Sequence, residues 1–318
     1  NGAMQVAQRG TSTSSISSGD TYPSVDRFML RVSSAGTWTH SQSTDAPAGF
    51  SSSLKMDCTA ADASLAADDN IQVQYRFEGQ DLQQLDFGSA GAKSLTLSFW
   101  IKATKTGTNI VELYQDDGND HIAKSYTVDS ADTWEHKTIT FSGNTLASIA
   151  NDNTRGLIVQ FFLAAGSNFQ SGTLATSWAG YVQGNEAVGQ VNHADSTSND
   201  WYITGIQLEI GEQATPFEHR SFADDLTACQ RYYETLIIGA GNFDIASTER
   251  TADDDRAKWD FKVRKRANCT AALGAGGSWG TGTPTFYNGL DNVNFNRAGI
   301  FNLNGTGGTI GLVADSEL

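Results

Sequence analysis

Over much of the first 210 residues, apolar and polar side chains alternate with a period of two, the signature of half-buried strands. Ile71, Val73, Tyr75 and Phe77 share one parity, with Gln72, Gln74 and Arg76 on the other. Leu95, Leu97, Phe99 and Ile101 repeat the pattern against Thr96, Ser98 and Trp100. Further strands are predicted at Asp26–Ser33, Ile110–Tyr114, Lys124–Val128 and Trp134–Phe141, and a short one within Asn1–Gly10 with Met4 and Val6 on one face. Leu157–Leu163 is almost continuously apolar, which predicts a central strand covered on both sides. In Trp201–Ile210 the apolar parity switches at Gly205, which predicts a bulge. The Ser/Thr run Thr11–Ser18 reads as a loop or flexible arm, and Leu82–Phe87 as a helical turn or tight loop. The count, about nine strands, is that of a jelly-roll sandwich.

The period changes after Gly211. Pro216 keeps the chain extended, and Ser221 followed by Asp224 has capping-box spacing, so a helix is predicted to begin at Phe222. Phe222, Leu226, Cys229 and Tyr233 would form its apolar face. Beyond it lie short alternating pieces, Lys258–Arg266, Thr283–Tyr287, Asn292–Phe295, Gly299–Leu303 and Thr309–Val313, separated by Gly/Asn turns. The expected architecture is all-β: a jelly-roll β-sandwich over 1–218, a connecting α-helix within 219–238 and a small β-domain over 239–318.

Composition agrees with that division. The 318 residues suggest about two domains, and the 32 glycines suit many strands joined by turns. The net charge of −15 is uneven: residues 1–238 hold 13 Lys/Arg against 27 Asp/Glu, residues 239–318 hold 8 against 9. So acidic a surface argues against nucleic acid as a partner. Cys58, Cys229 and Cys269 are too few and too scattered for a disulfide framework or a zinc site. No apolar run reaches the roughly 18–20 residues of a membrane span, so membrane insertion is not expected.

Several stretches resemble one family. TGIQLEIGEQATPFEHRSF with LTACQRYYET (within 204–235), NGAMQVAQRGTS with the later DRF, SLTLSFWIKATKTGT, YTVDSADTWEHKTITFSG and the terminal VADSEL are similar to segments of tail-fibre and related virion proteins of tailed bacteriophages. A looser likeness links the Asn-Gly opening and the Trp201–Ile210 strand to jelly-roll carbohydrate-binding modules. The resemblance implies a virion structural protein in or beside the tail fibre or tail tip that contacts host-surface glycan. Its partners would be other virion proteins and copies of itself, a trimer by analogy. A capsid-decorating or head-fibre protein of the same fold is the alternative, and a glycan-degrading tailspike a third.

Catalytic motifs are missing: there is no HExxH or GxSxG, and GSAGAKS (Gly88–Ser94) lacks the Gly-Lys junction of a P-loop, so no enzyme activity is expected. Ala164–Asp200 is a long polar insertion, and loops of that length tend to be functional or mobile. Phe169, Trp178 and Tyr181 within it, with Trp38 and Trp100 outside it, offer ring faces suited to sugar C–H surfaces. Alternatively Trp178 folds back to pin its own loop, and Trp100 packs at an interface. No cofactor is implied. A structural calcium on Asp116, Asp117 and Asp120 of DDGND competes with an ordinary acidic turn. Lys258, Lys262, Arg264 and Arg266 alternate with Trp259, Phe261 and Val263; they predict a strand whose basic face either contacts a subunit or is simply solvated.

Overall fold

A computed structural model describes residues 1–237, 241–243, 247–250, 255–273, 277–279, 285–297, 303–305 and 310–318. The chain divides into two compact units, residues 1–220 with Leu318, and residues 221–317.

The first unit is a jelly-roll sandwich. Its strands are β1 (Ser12–Thr21), β2 (Phe28–Ser43), β3 (Ser53–Ala60), β4 (Asn70–Glu78), β5 (Leu95–Ala103), β6 (Gly107–Gln115), β7 (Asp120–Val128), β8 (Glu135–Phe141), β9 (Arg155–Ala165), β10 (Ala179–Gly180) and β11 (Asp200–Ile210). They hydrogen-bond in the order β10-β7-β6-β9-β4-β2-β3-β11-β5-β8, with β1 along β2. β2 joins the two layers. Residues 28–34 pair with β4 and residues 37–43 with β3, and the bend between them falls at Ser34 and Gly36, both at positive φ. Across the core Phe161 on β9 meets Phe99 on β5 edge-on at 5.1 Å, and its ring lies 6.2 Å from that of Trp201 on β11. Truncating such a ring to Ala typically costs about 3–5 kcal/mol.

The alternation placed most of these strands, and β9 lies inside its sheet with nearly every residue buried. The predicted bulge is present at Gly205 (φ 62°), where the β11–β5 register shifts. The short helical turn is a 3-10 helix over Gly79–Leu85.

Three expectations need correction. Ser12–Thr21 is a strand rather than a loop: it is held by backbone pairing to β2 and buries only Ile16, so no apolar pattern marks it. Residues 1–10 turn instead of forming a strand. Met4 (φ 57°) and Val6 both enter the core, while the Asn1 side chain binds Val6 through both amide groups and also reaches the Asp26 carbonyl. Gly2 crosses β11 so closely that a Cβ there would sit 2.2 Å from the Ile206 carbonyl oxygen, a steric reason for the Asn-Gly opening. Finally, β3 was not anticipated, although Leu54, Met56 and Cys58 alternate inward.

The second unit begins with α1 (Phe222–Gln230), capped by Ser221, whose hydroxyl accepts the Asp224 N–H. The helix stops at Gln230, well short of its expected end. Asp225, Cys229 and Gln230 face inward while Phe222 is exposed, and Tyr233 belongs to the next strand. The strands that follow among the described residues are β12 (Tyr233–Ile237), β13 (Gly241–Phe243), β14 (Ser247–Arg250), β15 (Asp255–Asp260), β16 (Thr270–Leu273), β17 (Gly277–Trp279), β18 (Thr285–Asn288), β19 (Asn292–Arg297), β20 (Leu303–Gly305) and β21 (Ile310–Asp315). They form small sheets of three or four strands, and Trp259, Phe295, Val293 and Leu312 sit in one apolar cluster. Of the expected pieces, residues 283–284, 299–302 and 309 lie outside the described residues.

The basic stretch is only partly a strand. β15 ends at Asp260 and the chain then turns, so Lys258, Lys262, Arg264 and Arg266 do not share one sheet face. Lys258 pairs with Asp260 at 2.5 Å and Arg264 with Asp291 at 3.1 Å, while Arg266 donates to the Ser316 and Glu317 carbonyls. The Lys262 amide N–H donates to Glu234.

Candidate glycan-binding cleft

The outer face of the β7-β6-β9-β4 sheet carries a buried polar layer. Gln74, Gln160 and Glu112 occupy one rung across β4, β9 and β6. All three are buried and joined in series. Gln74 donates to Gln160 Oε1 at 3.0 Å, and Gln160 donates to Glu112 Oε2. Arg76 donates to Gln74 Oε1 at 3.0–3.1 Å, and His121 on β7 lies 2.5 Å from Glu112 Oε1. A buried polar layer is tolerable only when its members satisfy one another, and this one does.

The long insertion forms the lid over this layer. Phe169 anchors it, buried against Ile110, Ala123, Phe162 and Ala187. β10 pairs with β7, and the Tyr181 N–H donates to the Asn119 carbonyl at 2.8 Å, so Tyr181 stands edge-on to Tyr114 at 5.7 Å and to His121 at 5.4 Å. Its hydroxyl lies 3.3 Å from Glu186 Oε2. Arg31, Tyr114, Arg155, Ile158, Gln160, Tyr181 and Glu186 enclose a cleft of about 240 Å³. Each arginine gives its Nε and Nη2 to one carboxylate, Arg31 to Asp20 and Arg155 to Asp116, leaving Nη1 without a partner among the described residues.

Burial controls the protonation of the floor. Glu112 is pushed up to about 8 by loss of solvent, and Glu186 to about 9 by the same loss followed by the charge of Glu112. Burial also holds the His121 imidazole below its ordinary value, so the His121–Glu112 contact is a hydrogen bond rather than an ion pair at neutral pH. The Val182 N–H points at His121 Nε2 (3.4 Å), which leaves Nδ1 as the donor to Glu112. With Gln160 as a second donor, Glu112 is the better site for negative charge, and the pair's last proton resides on Glu186. The cleft therefore offers ring edges, guanidinium and amide donors and a protonated carboxyl, a set that complements hydroxyls better than it complements a strong charge.

Of the residues singled out from sequence, Tyr181 lines the cleft and the others do not. Trp38 is wholly buried, its Nε1 bound to the Ala35 carbonyl, and Phe169 is buried too, so neither has a ring face to offer. Trp178 folds back onto the sandwich: its Nε1 donates to the Ser142 carbonyl at 2.7 Å and its ring meets Phe87 at 5.6 Å. The three aspartates are spent separately. Asp116 pairs with Arg155, Asp117 accepts the Ala150 N–H and Asp120 accepts from Asn144. Among the described residues no three acidic, imidazole or thiol side chains converge as a metal site. Sequence reasoning missed Glu112, Gln160 and Glu186. The signal available was a lone Gln within the apolar run of β9.

No protein-family model matches the sequence, and no curated protein matches it. Among solved structures the chain is similar to the enzymatically active domain of bacteriophage CBA120 tailspike protein 4, at 13% identity and a TM-score of 0.32, covering 58% of this chain and 19% of that one. It is similar to the family 11 carbohydrate-binding module of a cellulosomal cellulase from Clostridium thermocellum, at 12% identity and a TM-score of 0.32, covering 63% and 99%. A third likeness is to the N-terminal cellulose-binding domain of a Cellulomonas fimi β-1,4-glucanase, at 12% identity and a TM-score of 0.29, covering 55% and 85%.

Proposed function

We propose that the chain is a structural protein of a tailed-phage virion, built into or attached to the tail fibre or tail tip, and that its sandwich binds host-surface glycan in the Tyr181 cleft. The virion assignment is supported by the segments that resemble tail-fibre proteins. The glycan assignment rests on one observation: Tyr181, Tyr114, Arg31, Arg155, Gln160 and Glu186 converge on a small polar cleft roofed by the long insertion. Single-site binding there is weak, and several copies on one particle make it useful. Binding without cleavage is favoured because the sequence carries no HExxH or GxSxG motif.

The test is a glycan array probed with the full-length chain displayed multivalently, beside Tyr181→Ala and Arg155→Gln. Binding that both substitutions abolish supports an adhesin using this cleft. Binding that neither affects moves the site elsewhere, and no binding to any host-derived glycan leaves a purely architectural role.

A further inference from the structure

The other sheet of the sandwich carries an open groove of about 690 Å³ on its outer face. At its floor β11 bulges at Gly205, where a Cβ would come 2.7 Å from Phe50 Cζ and 3.1 Å from Trp100 Cδ1. The missing side chain makes the room that aromatic rings fill. Phe50, Phe217 and His219 form a three-ring cluster with centroids 4.9–5.1 Å apart on one wall. Trp100 on β5 and His136 on β8, directly opposite each other in register and 5.1 Å apart, form the other.

Two features define what fits. No Lys, Arg, Asp or Glu lines the groove, although the chain as a whole is strongly charged. Such a lining suits an uncharged ligand. Of the groove's polar side chains, Thr215 is bound to Glu209, whereas Trp100 Nε1, the Thr138 hydroxyl and the imidazoles of His136 and His219 have no hydrogen-bond partner among the described residues. An apolar protein surface laid over them would strip their water and return nothing. A ring with C–H faces and equatorial hydroxyls satisfies both the aromatic walls and the free donors.

We infer that this groove is a second binding site, for an uncharged sugar chain, on the sheet opposite the Tyr181 cleft. It does not depend on the reading of that cleft, with which it shares no residue.

The experiment is isothermal titration of the full chain with cellohexaose and maltohexaose, both uncharged, beside hexagalacturonate. Trp100→Ala and Thr138→Lys are compared with their parent, all in a Tyr181→Ala background that removes the other cleft. Thr138 is exposed, so Thr138→Lys places a charge in the groove without disturbing the core. The expected result in that background is saturable binding of an uncharged hexasaccharide, weakened about tenfold or more by Trp100→Ala and by Thr138→Lys, the scale of a lost stacking contact. Failure of both uncharged probes to bind overturns the inference, as does binding indifferent to Trp100→Ala and Thr138→Lys. So does sedimentation showing that Trp100→Ala dissociates an oligomer, because the groove would then be a subunit contact.

Discussion

His121 Nδ1 lies 2.5 Å from Glu112 Oε1, with both side chains closed to solvent. The contact ties β7 to β6 beneath the Tyr181 lid, and the charge of the same carboxyl helps to raise Glu186 in the lid. Proton occupancy at one buried point thus bears on how the insertion sits on its sheet.

The alkaline limb of stability follows from it. In the unfolded chain both carboxyls titrate near 4.5, whereas the folded protein keeps their protons up to about 8 and about 9. The folded state therefore binds more protons between those values, so the contribution is fully present below pH 4.5 and is lost as pH rises to about 9. The loss is at most about 1.4 kcal/mol per pH unit for each group. Thermal unfolding should show a midpoint that falls between pH 7 and 9. Glu186→Gln, which cannot ionise, should flatten that fall; an equally steep fall in the variant would show that the pair is not its source.

Gln160→Leu tests the rung itself. Leucine is at home in the apolar β9, so a reading from strand propensity alone expects little change or a gain. The rung predicts the reverse: Glu112 Oε2 loses its amide donor and Gln74 loses an acceptor. A loss of about 1–3 kcal/mol in urea-induced unfolding is expected, the cost of buried polar groups left unpaired.

Gly205→Ala should destabilise by roughly 1–3 kcal/mol, because φ is positive there and the new methyl would meet the Phe50 ring. The same change should narrow the aromatic groove, so thermal unfolding read beside hexasaccharide titration checks both effects. A variant as stable as the parent would mean that the bulge relaxes at no cost.

What the sequence revealed and what it hid separate along physical lines. β9, the Gly205 bulge and the start of α1 were legible because local pattern and tertiary role coincide in them. β1 was hidden because ten mostly exposed residues are held by the backbone of β2 and bury little besides Ile16. The cleft was hidden for a related reason. Glu186 and Tyr181 come from the insertion, and only its path over β7, fixed by Phe169 and the β10 pairing, brings them to Glu112. Aromatic type was a poor guide to exposure: Trp38 and Phe169 serve the core, and Trp178 clasps its own loop.

The period-two pattern of KWDFKVRKR misled in a more instructive way, because it placed weight on the outward cations and none on Lys265. That residue is wholly buried, as is Glu234 on β12, and their charged atoms lie 2.6 Å apart. Lys265 also donates to the Gln230 carbonyl at the end of α1, while Glu234 accepts the Lys262 N–H, so the pair fastens the turn after β15 to the helix and β12. Desolvation holds the lysine below its ordinary range, opposed by the carboxylate beside it. Removing either partner strands the other in an apolar setting, and Lys265→Met or Glu234→Leu alone should each cost about 3–5 kcal/mol. The double variant Lys265→Met/Glu234→Leu should lose much less than the two single losses combined, since no buried charge remains. Hydrogen exchange at the β12 and β21 amides reads this unit apart from the sandwich. Losses that simply add would show that the two residues act independently and that the pair is not the fastening.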